Sequence, residues 1–148
     1  MRAVVTRVSS ASVAIDGEVS GKIDRGFLIL LGVREGDTLA DAERLAAKIT
    51  GLRVFEDENG KMNLSLDQVE GEVLVISQFT LYGNCKKGRR PEFLEAARPE
   101  TAMPLYEYFM NSCREAGFTV KSGVFGAHMH VTSCNDGPVT LILDTKEL

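Results

Sequence analysis

GFLILLGV, residues 26–33, carries no polar side chain at all. A strand with one wet face alternates apolar and polar residues, so an unbroken apolar run of strand length between glycines predicts a central strand covered on both faces. GEVLVISQFTL, residues 71–81, is a second run of this kind and ends in polar and aromatic residues. Outward from these two, the pattern changes. RAVVTRV (2–8) and ASVAIDGEVSGKI (11–23) alternate on either side of Asp16-Gly17, a dipeptide that favours a type I′ hairpin turn. Residues 38–51 place Leu39, Ala42, Leu45, Ala46 and Ile49 at helical spacing, with Asp37 or Thr38 as the cap and Gly51 as the stop. A second helix is predicted from Pro99 through Leu105, Phe109 and Cys113 to Gly117. LRVFE with the turn DENGK, then FTVKSGVF, HMHVTSC and PVTLILD, supply further strands. Many strands and only two helices predict an α+β fold with a mostly antiparallel, curled sheet rather than alternating βαβ units.

At 148 residues the chain reads as one domain, residues 1–148, large enough to bury a core without staples. An apolar fraction of 44% with 26% charged residues excludes a disordered or low-complexity chain. There is no apolar run of membrane-spanning length and no signal-peptide pattern, so a cytoplasmic protein is expected. Cys85, Cys113 and Cys134 are odd in number and widely spaced, which suits free thiols. A net charge of −4 argues against general coating of nucleic acid. Against that background Lys86, Lys87, Arg89 and Arg90 stand within five residues around Gly88, in CKKGRRP. A charge run is commonly just a solvated face, but here it forms a local phosphate-binding surface beside a polar strand end.

Other chemistry is weakly signalled. No phosphate-binding loop, dinucleotide fingerprint or zinc-protease pattern occurs. His128 and His130 stand at strand spacing on one face, with Cys134 four residues beyond His130, but no fourth ligand lies nearby, so no metal is expected. Ser77, Thr80 and Cys134 are nucleophile types without an adjacent base in sequence. NDGP (135–138) consists of turn formers, and a turn is its plain reading.

ISQFTL (76–81) and NDGPVT (135–140), with KKGRRPEF between them and KMNLSL before, closely resemble the D-aminoacyl-tRNA deacylase family. The match extends to the opening RAVVTRVSSASVAIDGEVSGKI, to GFLILLGV and to LYEYF on the second helix. The resemblance implies a barrel-like sheet with flanking helices, working as a homodimer with its sites at the subunit interface. It implies an esterase that frees tRNA from D-amino acids and from mischarged glycine, with aminoacyl-tRNA as partner and no cofactor. Ser77, Gln78, Phe79 and Thr80 then correspond to the active-site strand. Gln78 and the N–H groups around Phe79 and Thr80 would position the ester and its oxyanion, and Phe79 would support the adenine end. The family works by substrate assistance, the 2′-hydroxyl of the terminal adenosine helping to activate water. Thr80, lacking a base, is assigned to hydrogen bonding and site shape. In the family the Gly-Pro peptide is cis and enters the partner's pocket, so Gly137 and Pro138 would form a rigid wall that turns away L side chains. Ala102 and Met129 align with pocket positions, for which core packing is the competing reading. The four cations of the 86–90 loop would grip the acceptor end. The departures are local: Asn84, Cys85, His128 and His130 lie outside both signature motifs. Two other functions stay open on the residues alone, a tRNA-binding protein of this fold without hydrolysis and a Thr- or Cys-dependent hydrolase of small esters.

Overall fold

A computed structural model describes residues 1–148. The longest early strand, β1 (Arg2–Ile15), alternates buried and half-exposed positions, turns at Asp16 (φ 51°) and Gly17 (φ 81°), and returns as β2 (Glu18–Ile23). Both central turn residues take the left-handed conformation that the Asp-Gly pair predicts. Next, β3 (Gly26–Gly32) is buried at every position but the half-buried Leu30, so the apolar run is indeed a strand covered on both faces.

Helix α1 (Leu39–Thr50) starts at Thr38, whose backbone N–H is capped by the Asp41 carboxylate at 2.8 Å. It buries Ala42, Leu45, Ala46 and Ile49, while Leu39 at its first position stays outside. A small hairpin, β4 (Phe55–Glu56) with β5 (Met62–Leu64), leads to β6 (Glu72–Ser77). The strand predicted over 71–81 thus ends four residues early. Gln78 turns out of the ladder (φ −144°, ψ 76°) while its N–H donates to Leu31 O at 2.8 Å, and Phe79–Tyr82 coil into a single 3₁₀ turn. Helix α2 (Pro99–Glu115) follows, with Pro99 at its first position, then β7 (Val120–Ser122) and β8 (His130–Asp144). Of the segments HMHVTSC and PVTLILD, read as two strands, His130–Cys134 and Pro138–Asp144 are parts of the single strand β8. His128 and Met129 precede it, so the two histidines do not share a strand face as expected, and only His130 is a strand residue.

The sheet runs β2-β1-β3-β6-β7, with β8 laid along β1. Pairs of β1 with β2, β3 and β8 are antiparallel, and those of β6 with β3 and β7 are parallel. The sheet is mostly antiparallel as expected, but α1 and α2 are true crossovers, β3 to β6 and β6 to β7. The sequence hid this because β4 and β5 interrupt the first crossover, and β7 is only three residues long. The far ends of the path come together where the Ser20 hydroxyl donates to Ser122 O at 3.3 Å, leaving a nearly closed curl. Gly21 makes that approach possible, since a Cβ there would stand 2.9 Å from Ser122 O.

Two cores follow from the strand period. Phe27, Ile29, Leu31, Val73 and Val75 face outward onto Leu45, Ile49, Leu105 and Phe109 of the helices. The intervening Leu28, Leu74 and Ile76 point into the curl against Val8, Val13 and Ile23. Each fully buried side chain of this size contributes about 1.5–3 kcal/mol, so the two parallel central strands are the rigid frame on which their C-terminal ends are carried.

Candidate active site

Where β3 and β6 end, the chain must close over the top of the curl, and a cavity of about 550 Å³ lies there. Its walls are mainly apolar and come from β3, the end of β6, the turn after it, the first half of α2 and residues 125–131. Ser77, Gln78 and Phe79 line one side, and Ala102 and Met129 line others. Five positions singled out in the sequence are therefore brought to one concavity, and Ala102 and Met129 are wall residues as well as packing residues.

The turn that presents Gln78 and Phe79 is fixed from several sides. Leu81 N–H donates to Gln78 O at 3.2 Å, and Gly83 N–H to Thr80 O at 2.9 Å. Gly32 at the end of β3 lets the turn approach, because a Cβ there would lie 3.1 Å from Gln78 O and 3.2 Å from Tyr82 Cε2. Phe79 is 57% exposed and meets Phe93 edge to face, with ring centroids 5.1 Å apart. One ring face therefore remains open to a planar ligand. Thr80 is exposed and lies outside the cavity wall; its hydroxyl oxygen accepts from the Gln78 carboxamide. That partner is an amide and not a base, which leaves Thr80 without activation as a nucleophile.

Tyr106 backs the cavity from α2. Its hydroxyl donates to Val75 O at 2.9 Å, and burial pushes the phenol up to about 12, so it stays a neutral donor across the working pH range. Burial likewise pushes the Cys113 thiol up to about 12, which makes it a core side chain and not a reactive one. Cys85 and Cys134 are exposed. His128 lies on the cavity rim, its ring edge to face with that of His130 at 5.1 Å. No group of three or more His, Cys, Asp or Glu side chains is arranged to hold a metal ion.

The basic loop stands on a pinched base, with Asn84 N–H donating to Glu92 O at 2.8 Å and Glu92 N–H to Asn84 O at 3.1 Å. Lys86, Lys87, Arg89 and Arg90 are all exposed, and none forms a salt bridge. At the foot of the loop Phe93 enters the cavity wall, so the cations rise from the same rim as the site.

Gly137 and Pro138 do not line this chain's cavity. They belong to an outward excursion of β8: β1 and β8 pair at Thr6↔Thr140 and again at Val8↔Asn135, so residues 136–139 bulge opposite Arg7 alone. The peptide between Gly137 and Pro138 is cis. The Asn135 side chain closes the base of the bulge, accepting from Val139 N–H and donating to the Thr140 hydroxyl, both at 3.0 Å. Arg7 Nε donates to Asp136 O at 2.9 Å from a guanidinium only 5% exposed. Sequence reading did not single out Arg7, although an arginine in register with the apolar, buried Ala3 and Val5 was a visible signal. Phe93, Tyr106 and Phe125 were missed as wall residues too, since their aromatic side chains read simply as core.

The D-Tyr-tRNA(Tyr) deacylase family model matches residues 4–144. A D-aminoacyl-tRNA deacylase of Thermus aquaticus is 59% identical over 147 residues, covering 99% of this chain and 97% of the relative. One of Thermosipho africanus is 55% identical over 148 residues, covering 100% and 99%. Among solved structures, the c-Myc DNA unwinding element binding protein superposes with a TM-score of 0.91 at 42% identity, covering 97% of this chain and 98% of that one. A probable eukaryotic D-amino acid tRNA deacylase shares the fold at a TM-score of 0.81 and 17% identity, covering 96% and 97%. Fold, cavity and relatives together define an enzyme, a hydrolase of the deacylase class. The chain belongs to the D-Tyr-tRNA(Tyr) deacylase family.

Proposed function

We propose that this protein hydrolyses the ester between a D-amino acid and the 3′ end of tRNA, and that it also removes glycine, while sparing L-aminoacyl-tRNA. The observation that carries the reading is the convergence of Ser77, Gln78, Phe79, Ala102 and Met129 on one apolar cavity beside four unpaired cations. A single-stranded acceptor end fits that pair of features: its phosphates meet Lys86, Lys87, Arg89 and Arg90, and its terminal adenine rests on the open face of Phe79.

In the reaction water attacks the ester carbonyl, the resulting oxyanion collapses, and the bond to the ribose oxygen breaks to give free amino acid and tRNA. Water is activated by the 2′-hydroxyl of the terminal adenosine, so no protein nucleophile is needed. The amides of Phe79 and Thr80, the first of their turn, have no carbonyl partner within it and face developing charge together with the Gln78 carboxamide. Stereochemistry is imposed by Gly137 and Pro138 of a second copy of the chain, reaching into the cavity across a homodimer interface. An L side chain is directed against that backbone wall, a D side chain away from it, and glycine has nothing to reject. Such a filter reads the α-carbon and not the side chain, which suits a family of many D substrates.

Hydrolysis of matched D-Tyr-tRNA and L-Tyr-tRNA with EDTA present tests this directly. Fast release from the D substrate alone is expected, and Thr80→Ala and Cys134→Ala should keep substantial activity. Equal rates on both substrates would remove the filter, and near-complete loss in either alanine variant would restore a side-chain nucleophile.

A further inference from the structure

KMNLSL, residues 61–66, is one of the segments that carry the family resemblance, yet none of its residues lines the cavity. What the segment does instead is lace together a small hairpin. The Asp57 carboxylate accepts from Asn59 N–H at 2.9 Å and Lys61 N–H at 3.1 Å through one oxygen, and from the Asn63 carboxamide at 3.2 Å through the other. Asn63 in turn takes both arms of Arg53, its backbone oxygen accepting from Nε at 2.8 Å and its side-chain oxygen from Nη2. The carboxamide of Asn63 is therefore the hub that joins the turn to the start of the hairpin.

This hairpin is bolted to the sheet by Phe55, which is 1% exposed and stacks on Phe27 at 5.2 Å. Phe27 is the register partner of Arg7. With the Phe55 side chain fixed there, its two neighbours reach Arg7: Val54 O accepts from Nη1 at 2.7 Å, and Glu56 Oε1 lies 3.9 Å from Nη2. The other edge of the same guanidinium holds Asp136 O, one residue before Gly137. Arg7 is thus a planar fork with the hairpin on one side and the Gly-Pro bulge on the other.

We infer that the hairpin of residues 53–64 is a brace for the Gly137-Pro138 wall, and that Glu56 and Asn63 are positioning residues for stereochemical selection, acting through Arg7 without touching substrate. The inference rests on the proposed role of Gly137 and Pro138 as that wall. A wall that discriminates by contact must be held to within about half an ångström, and a single arginine on a long side chain does not provide that unless its far side is fixed as well.

The experiment measures kcat/KM of the full-length protein on D-Tyr-tRNA and L-Tyr-tRNA for Asn63→Ala and Glu56→Gln, with Glu58→Gln at the hairpin tip as control. Glu56 is 58% exposed, so its replacement leaves folding intact even where Asn63→Ala does not. The expected result is a fall of about 10- to 100-fold in the D/L ratio, arising chiefly from faster L hydrolysis, with the Glu58 control unchanged. A wild-type D/L ratio preserved in folded Glu56→Gln and Asn63→Ala overturns the brace. A wild-type protein that fails to distinguish D from L overturns the proposed filter itself, a result that is read before any variant is made.

Discussion

At Gly137 the backbone lies at φ +134°, and a Cβ there would stand 3.0 Å from Val139 N and 3.0 Å from Arg7 Nη2. Both the conformation and the space demand glycine at this point, and the neighbour that would have to yield is the guanidinium that holds the bulge. Gly137→Ala is therefore expected to cost about 1–3 kcal/mol locally and to push Arg7 off Asp136 O. The check is a thermal melt run beside the two-substrate assay: a lowered melting temperature with a reduced D/L ratio is the expected pair, and an unchanged ratio would mean that the bulge does not need Arg7. The glycine and the proline were legible as oddities in the sequence. Their anchor was not, because the contact between Arg7 and residue 136 spans almost the whole chain and exists only once β1 and β8 have paired.

Elements were most legible where a local signal has a local cause. Thr38 and Asp41 illustrate this: three residues apart, they form the reciprocal cap that starts α1, and the hydrogen bond from the Thr38 backbone, the largest influence, holds the Asp41 carboxyl below its ordinary value of 3.8. A carboxylate with a lowered folded-state pKa stabilises the protein above its unfolded value and ceases to do so as pH falls through the folded one. Asp41→Ala should thus cost about 0.5–1 kcal/mol near neutral pH, with most of the solvent-exposed charge effect screened away. The difference in melting temperature between wild type and variant should narrow as pH drops below 3.8, whereas a gap that stays constant into strong acid would show that the ionised cap contributes nothing. Strand ends were read less well for a related reason. The apolar pattern of 71–81 continues through Leu81, but β6 stops at Ser77. The Gln78 N–H makes the last bond to β3, at Leu31 O, where β3 itself is ending, and the backbone turns away at Gln78, a limit set by a partner that no local window contains. The residues beyond that last bond are the ones that form the turn at the cavity.

At the scale of the whole molecule, charge is arranged against its own sum. A chain of net charge −4 repels polyanions at long range, yet Lys86, Lys87, Arg89 and Arg90 form no salt bridge and stand on a pinched, exposed loop whose foot, Phe93, enters the cavity wall. Composition alone showed the cluster; its relation to the cavity required the parallel crossovers that set the end of β6 beside the start of α2, and these were not visible in the period of the strands. If the loop meets tRNA phosphates, each neutralised phosphate releases counterions, and four such contacts give log kcat/KM a slope of about −3 against log salt under subsaturating substrate. Replacing all four cations by alanine should flatten that slope and lower kcat/KM most at low salt. The melting temperature should stay unchanged, since none of the four is paired in the folded state. A slope that is steep in both proteins would move the phosphate contact elsewhere on the surface. A slope that is flat in the wild type would mean that the acceptor end is held by the cavity alone, with the adenine on Phe79 as its main grip.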